Sequence, residues 1–329
     1  MEAIARAHTN IALIKYWGKR DSKLFLPMNS SLSITLDHFY TETKVQFSDQ
    51  FEKDSLVLDG NQVSEHELVK ITAFLNHVRN LAGTKNFAKV TSVNHVPTAA
   101  GFASSASGYA ALAAAASKAL QLDLTGTELS ALARQGSGSA SRSIFGGFVE
   151  WQKGEKTDGT DSFAKQIIDE KAWDVSVLSV VVEAGPKSVS SRDGMQRTVD
   201  TSPFYDGWLA TIEEDLTQIK EAISNRDFTK LGETAEANAM KMHATMLGAK
   251  PPFLYWQSAT FDVMQKVMEL RQQGLEAYFT IDAGPNVKVL CEPKNEQMMK
   301  EKLAALPSVR DVIVCHPGPG IQYLSDWNG

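Results

Sequence analysis

The chain has 329 residues, of which 43% are hydrophobic and 22% charged, a balance typical of a globular protein with about two domains. Its net charge of −6 disfavours a nucleic-acid binder, because such proteins carry a basic surface. The two cysteines, Cys291 and Cys315, exclude a disulfide scaffold and a cysteine-bound zinc cluster. No apolar run reaches the ~18 residues of a membrane span, and the N-terminus lacks an apolar signal core. We therefore expect a cytoplasmic enzyme with no membrane or nucleic-acid partner.

The sequence predicts that the first half of the chain is rich in β-strands and contains two helices. Strands are predicted over residues 31–36, 41–47, 56–58, 87–93, 146–151 and 175–183. A helix is predicted from Ser64 to Ala82, because Ser64 and Glu67 form a capping box. The second helix, residues 106–120, is rich in alanine and apolar nearly all round, so we expect it to be buried.

The second half changes to helical periodicity. Helices are predicted over residues 208–224, 227–247, 257–273 and 296–306, and strands over 277–281, 286–291 and 311–315. This pattern indicates helices packed on one antiparallel sheet. We place the domain boundary so that the first domain covers residues 1–183 and the second covers 184–329.

The segment 97–108 (PTAAGFASSASG) joins a predicted strand to the buried helix. Small residues let a phosphate approach the backbone, and the first N–H groups of a helix attract anions. No Lys-Ser or Lys-Thr pair follows the glycine, so this is not a Walker loop. From composition alone, a tight turn between helix and sheet remains an equal alternative.

The order of residues in this segment resembles the second motif of the GHMP kinase superfamily, although Ala103 stands where a glycine is usual. In that superfamily the loop wraps the triphosphate of ATP. The resemblance implies that ATP is bound by Pro97, Ala100, Gly101, Ala103, Ser104, Ser105, Ser107, Gly108 and Lys187. Magnesium would arrive with ATP, with Ser105 as its candidate protein ligand.

Residues 10–19 (NIALIKYWGK) place Lys15 in an apolar strand that we expect to end at Gly18. A lysine there is costly unless it is paired or faces a site; the alternative is an amphipathic strand with a basic tail. The segment resembles the opening signature of the mevalonate diphosphate decarboxylase family. Segments 136–143 (GSGSASRS), 190–195 (SSRDGM) and 282–288 (DAGPNVK) agree with that family, in the right order.

The resemblance implies a two-domain α+β fold like that of the GHMP kinases. Its N-terminal α/β domain would carry the ATP loop, its C-terminal domain would be ferredoxin-like, and the active site would lie in the cleft between them. The implied reaction converts mevalonate 5-diphosphate and ATP to isopentenyl diphosphate, ADP, phosphate and carbon dioxide. The family also suggests a homodimer.

The resemblance implies three catalytic residues. Asp282 would accept the hydrogen of the substrate 3-hydroxyl, Lys15 would keep that carboxylate ionised, and Arg142 would hold the departing carboxylate. By spacing alone, a turn residue before Gly-Pro is favoured over an acid–base role for Asp282. We call Tyr16, Lys19, Ser191 and Arg192 the diphosphate clamp; Asn10 and Ser139 complete the predicted substrate contacts.

Two other functions remain open at this point. A kinase of the same superfamily would phosphorylate mevalonate or a phosphomevalonate without decarboxylation. A catalytically silent module would only bind phosphorylated ligands, although the set Asp282, Lys15 and Arg142 argues against it. His243 lies among methionines on a predicted helix, and a packed or solvent-facing role is favoured over acid–base chemistry.

Overall fold

A computed structural model describes residues 1–95, 104–182 and 189–327. The first sheet contains eight strands, and its main path runs in the order β14-β1-β4-β7-β5-β6, with β8 and β9 attached beside β4. Its strands are β1 (Glu2–Ile14), β4 (Ser31–Ser48), β5 (Ser55–Leu58), β6 (Asn61–Gln62), β7 (Phe87–His95), β8 (Phe148–Trp151), β9 (Ala164–Ile168) and β14 (Gln322–Leu324). A small hairpin pairs β2 (Lys19–Asp21) with β3 (Leu26–Pro27).

Three helices belong to this half: α1 (Glu65–Ala82), α2 (Ser104–Ala119) and α3 (Gly126–Arg134). The predicted capping box is confirmed, since Ser64 accepts from the Glu67 N–H and Glu67 reaches back to the cap. Helix α2 packs on β1 and β4 with its alanines fully buried, as its composition predicts. A 3₁₀ helix, Gly138–Ile144, follows α3.

The second sheet has four antiparallel strands in the order β11-β12-β10-β13. They are β10 (Ser176–Val181), β11 (Ala277–Ile281), β12 (Val287–Cys291) and β13 (Asp311–Cys315). Its helices are α4 (Ser191–Thr201), α5 (Tyr205–Asn225), α6 (Phe228–Leu247), α7 (Ser258–Gln272) and α8 (Glu296–Ala304). This order of strands and helices is the ferredoxin-like β-α-β-β-α-β arrangement that the resemblance implies.

Every residue of strand β10 is buried, including Ser176 and Ser179, so the strand is covered on both faces. Val177 and Val181 pack with α5 and α6, whereas Leu178 and Val180 pack with α7 and α8. The helices therefore cover both faces of the antiparallel sheet that the sequence predicts. β10 also precedes residue 183, so the second sheet takes a strand from upstream of the boundary that we predict.

Two strand predictions need correction. Residues 31–36 and 41–47 form one continuous strand, β4, because β1 and then β7 and β8 pair along its whole length. Strand β1 ends at Ile14, four residues before the predicted end, so Lys15 lies just beyond the strand. Over the described ranges, no helix is long and apolar enough to cross a membrane.

Candidate active site

The segment 15–17 leaves the first sheet, and side chains supply three of its backbone hydrogen bonds. The Lys15 N–H donates to Oδ1 of Asn238 at 2.8 Å, and the Lys15 carbonyl accepts from Nδ2 of Asn29 at 2.8 Å. The Tyr205 hydroxyl donates to the Trp17 carbonyl at 2.6 Å. Because buried backbone groups must be paired, these side chains determine where Lys15 can lie.

Lys15 and Asp282 form an ion pair across the two halves of the chain. The Lys15 Nζ lies 2.6 Å from Oδ1 of Asp282 and also donates to the Ala12 carbonyl at 2.8 Å. Lys15 is 1% exposed, while 34% of the Asp282 side chain remains open to the cleft. The Ala12 carbonyl thus holds the lysine on the protein side, and the Asp282 carboxylate faces the cleft.

The charges around Asp282 keep it ionised. Burial acts to raise the pKa of this carboxyl, but Lys15, Lys288 and Arg142 together outweigh it and lower the pKa below the usual aspartate value. Burial is the main cause that lowers the pKa of Lys15; Asp282 opposes it. The pair therefore favours a carboxylate that can accept a hydrogen bond at neutral pH.

Arg142 lies on the 3₁₀ helix at the same end of the cleft and is 2% exposed. Its Nε and Nη2 donate to Oδ1 of Asn10 at 3.3 and 3.2 Å, and its Nη1 donates to the Ser31 hydroxyl at 2.6 Å. Of its five N–H groups, two have no partner among the described residues. We call Lys15, Arg142 and Asp282 the charged centre.

Asn10 orients Arg142 and the 3₁₀ helix together. Its amide nitrogen donates to the Ser139 carbonyl at 3.0 Å and to the Ser143 hydroxyl at 2.8 Å, which turns its oxygen toward the guanidinium. Asn10 is 3% exposed, and both Asn10 and Ser139 line the cleft. The sequence predicts that Asn10 contacts the substrate. The structure shows in addition that Asn10 orients Arg142.

The charged centre and the clamp line one cleft of about 600 Å³. Its walls come from both halves of the chain, and they include Asn10, Lys15, Tyr16, Lys19, Ser105, Gly108, Ser139, Arg142, Ser191, Arg192 and Asp282. The ring of Tyr16 packs edge-on against Trp151 at 4.8 Å. Its buried hydroxyl has no hydrogen-bond partner among the described groups, and burial raises its pKa, so it remains a neutral donor.

Phe25 joins the two cations of the clamp and was missed by sequence reasoning. The Lys19 Nζ lies 4.0 Å from the centre of the Phe25 ring, and the Arg192 Cζ lies 5.7 Å from it. Such contacts are favourable because the ring face is electronegative. Burial, followed by the charge of Arg192, lowers the pKa of Lys19 to about 8.

Helix α4 begins at the clamp. Ser190 is its N-cap and accepts from the Asp193 N–H, so Ser191 and Arg192 occupy the first turn. The positive end of the helix thus adds to the charge of Arg192 near the cleft. No sequence signal singled out Phe25, since its ring meets Arg192 only after the chain has folded.

The start of α2, which follows the predicted ATP loop in the chain, forms one side of the cleft. Ser105 is exposed, and an added Cβ at Gly108 would meet open space. Ser107 is different, because it is buried and its hydroxyl lies 2.7 Å from that of Thr41, away from the cleft. Pro97, Ala100, Gly101, Ala103 and Lys187 lie outside the described residues, as does the side chain of Ser104.

His243 is a packed residue, as its spacing favours. It is 1% exposed, its Nε2 lies 3.1 Å from the Ile281 carbonyl, and its ring contacts Trp256. Burial is the main cause that lowers its pKa to about 4, so the ring is neutral at pH 7. Within the described ranges, no three His, Cys, Asp or Glu side chains cluster as metal ligands.

Two family models match the chain. Residues 7–164 match the diphosphomevalonate decarboxylase-like N-terminal domain, and residues 177–320 match the mevalonate 5-diphosphate decarboxylase C-terminal domain. A diphosphomevalonate decarboxylase from Danio rerio is 40% identical over 300 residues, which cover 86% of this chain and 74% of the relative.

Solved structures agree with this assignment. The mevalonate diphosphate decarboxylase from Staphylococcus aureus is 50% identical, with a TM-score of 0.94 and 98% of each chain covered. The enzyme from Enterococcus faecalis is also 50% identical, with a TM-score of 0.92 and coverage of 98% of this chain and 99% of that one. Both the fold and the sequence therefore place this chain in the diphosphomevalonate decarboxylase family.

Proposed function

We propose that this chain catalyses the ATP-dependent decarboxylation of mevalonate 5-diphosphate to isopentenyl diphosphate. The observation that carries the proposal is the Lys15–Asp282 pair beside Arg142 at one end of the shared cleft. A solved structure that is 51% identical, with a TM-score of 0.92, is a complex with MVAPP, AMPPCP and magnesium. The substrates would then be mevalonate 5-diphosphate and magnesium-ATP.

In the first step, the Asp282 carboxylate accepts the proton of the 3-hydroxyl as that oxygen bonds to the γ-phosphorus and ADP leaves. Lys15 lies next to the same carboxylate and offsets the charge of the transferred group. Phosphoryl transfer passes through a loose transition state, so the position of Asp282 matters more than its basicity.

In the second step, the new phosphate leaves from carbon 3. The electrons of the bond to the carboxylate form the carbon–carbon double bond, and carbon dioxide departs. The two remaining N–H groups of Arg142 would hold that carboxylate in one plane, because the other three are occupied by Asn10 and Ser31. The clamp, with Tyr16 as a hydroxyl donor and with Lys19 and Arg192 as cations, would bind the diphosphate.

The test is to count ADP and carbon dioxide in parallel with mevalonate 5-diphosphate as substrate. We expect one carbon dioxide for each ADP. ADP without carbon dioxide would indicate the kinase, which is not favoured because the relatives named above are decarboxylases. No substrate-dependent ADP would indicate a silent binding module.

The nucleotide assignment needs a separate test, for which Gly108 is suited. Since an added Cβ at Gly108 meets open space in the cleft, Gly108→Leu should fill the nucleotide side without disturbing the core. We expect the KM for ATP to rise while mevalonate 5-diphosphate still binds. Gly108→Ala is the control, and Ser105→Ala should weaken use of magnesium-ATP. If the ATP titration curves of Gly108→Leu and Ser105→Ala both matched that of the wild type, the nucleotide assignment would be contradicted.

We also infer a cytoplasmic homodimer. Both cysteines are free and buried, which suits a reducing compartment. Exposed apolar side chains near the end of α6, Phe204 and Leu247, together with Leu254, would suit contact with a second copy. Sedimentation of the purified protein would reveal the dimer, and cell fractionation would reveal the compartment.

A further inference from the structure

Helix α6 contacts Lys15 and Ile281, the residue that precedes Asp282. Near its middle, Asn238 accepts the Lys15 N–H at 2.8 Å. About one and a half turns later, the neutral ring of His243 donates to the carbonyl of Ile281, the residue before Asp282, at 3.1 Å. One rigid helix therefore sets where the lysine and the aspartate lie relative to each other.

The orientation of the Asn238 amide is determined by a second ion pair, between Asp215 and Lys241. Its Nδ2 donates to Oδ2 of Asp215 at 2.7 Å, and both oxygens of Asp215 accept from the Lys241 Nζ, at 2.7 and 2.6 Å. An ionised carboxylate can only accept hydrogen bonds. The nitrogen of Asn238 must therefore face Asp215, which leaves its oxygen for Lys15.

The hydrogen bonds of this network are hard to replace, because Asn238 and Asp215 are shielded from water. Asn238 is 0% exposed and Asp215 is 6% exposed. A buried polar group that loses its partner destabilises the fold, so the network has few alternative arrangements. None of these three side chains lines the cleft, so they can act on substrate only through Lys15.

We propose that Asn238, Asp215 and Lys241 form a positioning network that holds Lys15 within hydrogen-bonding distance of Asp282. The inference rests on the proposed function, in which that pair takes part in phosphoryl transfer. The network should therefore affect turnover and leave substrate affinity nearly intact, because the clamp lies elsewhere in the cleft.

The first test replaces Asn238 by leucine, which removes the acceptor without adding charge. If Lys15 moves away, Asp282 keeps Lys288 and Arg142 as cationic neighbours, with neutral His243 nearby, but loses its closest cation. NMR titration of the Asp282 carboxyl should then show a higher pKa than in the wild type. We expect kcat to fall about 10- to 100-fold, with the KM for mevalonate 5-diphosphate within twofold.

The second test exchanges the amide of Asn238 and the carboxylate of Asp215. Asn238→Asp alone brings two carboxylates together and should lower kcat at least as much. The double variant Asn238→Asp/Asp215→Asn keeps the net charge and reverses the direction of one hydrogen bond, while Lys15 still meets an oxygen. We expect it to recover kcat to within about fivefold of the wild type, since paired groups are not additive.

Thr245→Val is the matched control, because Thr245 is buried on the same helix and, among the described residues, its hydroxyl bonds only the Met242 carbonyl. It should lower thermal stability without changing kcat. The NMR readout does not depend on turnover, so it separates this inference from the proposed reaction. An unchanged Asp282 pKa in Asn238→Leu, no recovery in the folded double variant, or a rise in KM at constant kcat would each overturn the inference.

Discussion

The charged centre and the diphosphate clamp lie in the same cleft, but they are supported in different ways. Lys15 and Arg142 are almost completely buried, and protein hydrogen bonds hold each of them from behind. In the clamp, Arg192 is exposed at the first turn of α4, and Lys19 rests on the ring of Phe25. Rigid support suits groups that must meet a short-lived transition state, whereas an open cluster of cations suits binding of a flexible diphosphate.

The difference predicts two kinds of mutant. Changes in the charged centre should lower kcat, because its contacts strengthen only as the reaction proceeds. Changes in the clamp should raise the KM for the substrate, because its contacts are similar in the ground state and the transition state.

The largest effect is expected for Asp282→Asn, which keeps the shape and removes the charge. Turnover should fall by at least about 100-fold, the lower end for a positioned acid–base group. Substrate affinity should change much less. Steady-state kinetics with Asp227→Asn as a control provide the measurement, because Asp227 caps α6 outside the cleft and asparagine also caps helices. Turnover within threefold of the wild type would show that Asp282 is only a turn residue.

Arg142→Lys should come next, with a decrease in kcat of about 10- to 100-fold, since a planar grip and buried hydrogen bonds to Asn10 and Ser31 are lost. Some substrate should stop at the 3-phosphorylated stage, so ADP would exceed carbon dioxide. Arg134→Lys is the matched control, because Arg134 is equally buried but bonds carbonyls outside the cleft. A rise in substrate KM at normal kcat would instead place Arg142 on the diphosphate.

Arg192→Ala should raise the KM for mevalonate 5-diphosphate roughly tenfold, the loss of one charge-assisted contact, with kcat nearly unchanged. Phe25→Leu should act in the same direction and more weakly, because the cations remain but lose the ring beneath them. Arg197→Ala, on the same helix but outside the cleft, serves as the control. A decrease in kcat alone would show that the clamp and the charged centre do not differ as proposed.

The clamp should also give the reaction a pH dependence of its own. Lys19 has a pKa of about 8, so its charge is lost as the pH rises through that value, and kcat/KM for the substrate should decline above it. Lys19→Arg should move the decline to higher pH, since an arginine stays charged. Profiles of kcat/KM for the two enzymes, recorded from pH 6 to 10, would coincide if another group were responsible.

The smallest effect concerns stability and lies outside the cleft. Burial acts to lower the pKa of His316, but Asp174, at 2.9 Å, with Glu296 and Asp37, outweighs it and raises the pKa. A raised pKa stabilises the fold fully below the unfolded value, and this stabilisation is lost as the pH rises through the folded value. His316→Gln should therefore lower the Tm more at pH 5.5 than at pH 8.5. His66→Gln, on the surface of α1, should show no such difference.

Much of the fold follows from local sequence because its signals are local. Ser64 with Glu67 predicts the start of α1, and the apolar alanines predict that α2 is buried. The periodicity of the second half predicts helices with an antiparallel sheet, and the structure confirms this. The sequence does not predict the full length of β4, because its continuity depends on pairing with β1, β7 and β8, which are distant in the chain. Burial of the second sheet on both faces is likewise a property of packing.

For the candidate site, the amino-acid sequence supplies the chemical groups. Lys15, Arg142 and Asp282 stand in recognisable segments, and the resemblance of those segments to one family indicates their roles. Their arrangement comes from folding: Lys15 and Asp282 meet at 2.6 Å, Asn238 holds the lysine, and Phe25 lies between two cations. The reason is physical: these contacts join residues up to 267 positions apart, and their energies depend on removal from water, which no local pattern encodes.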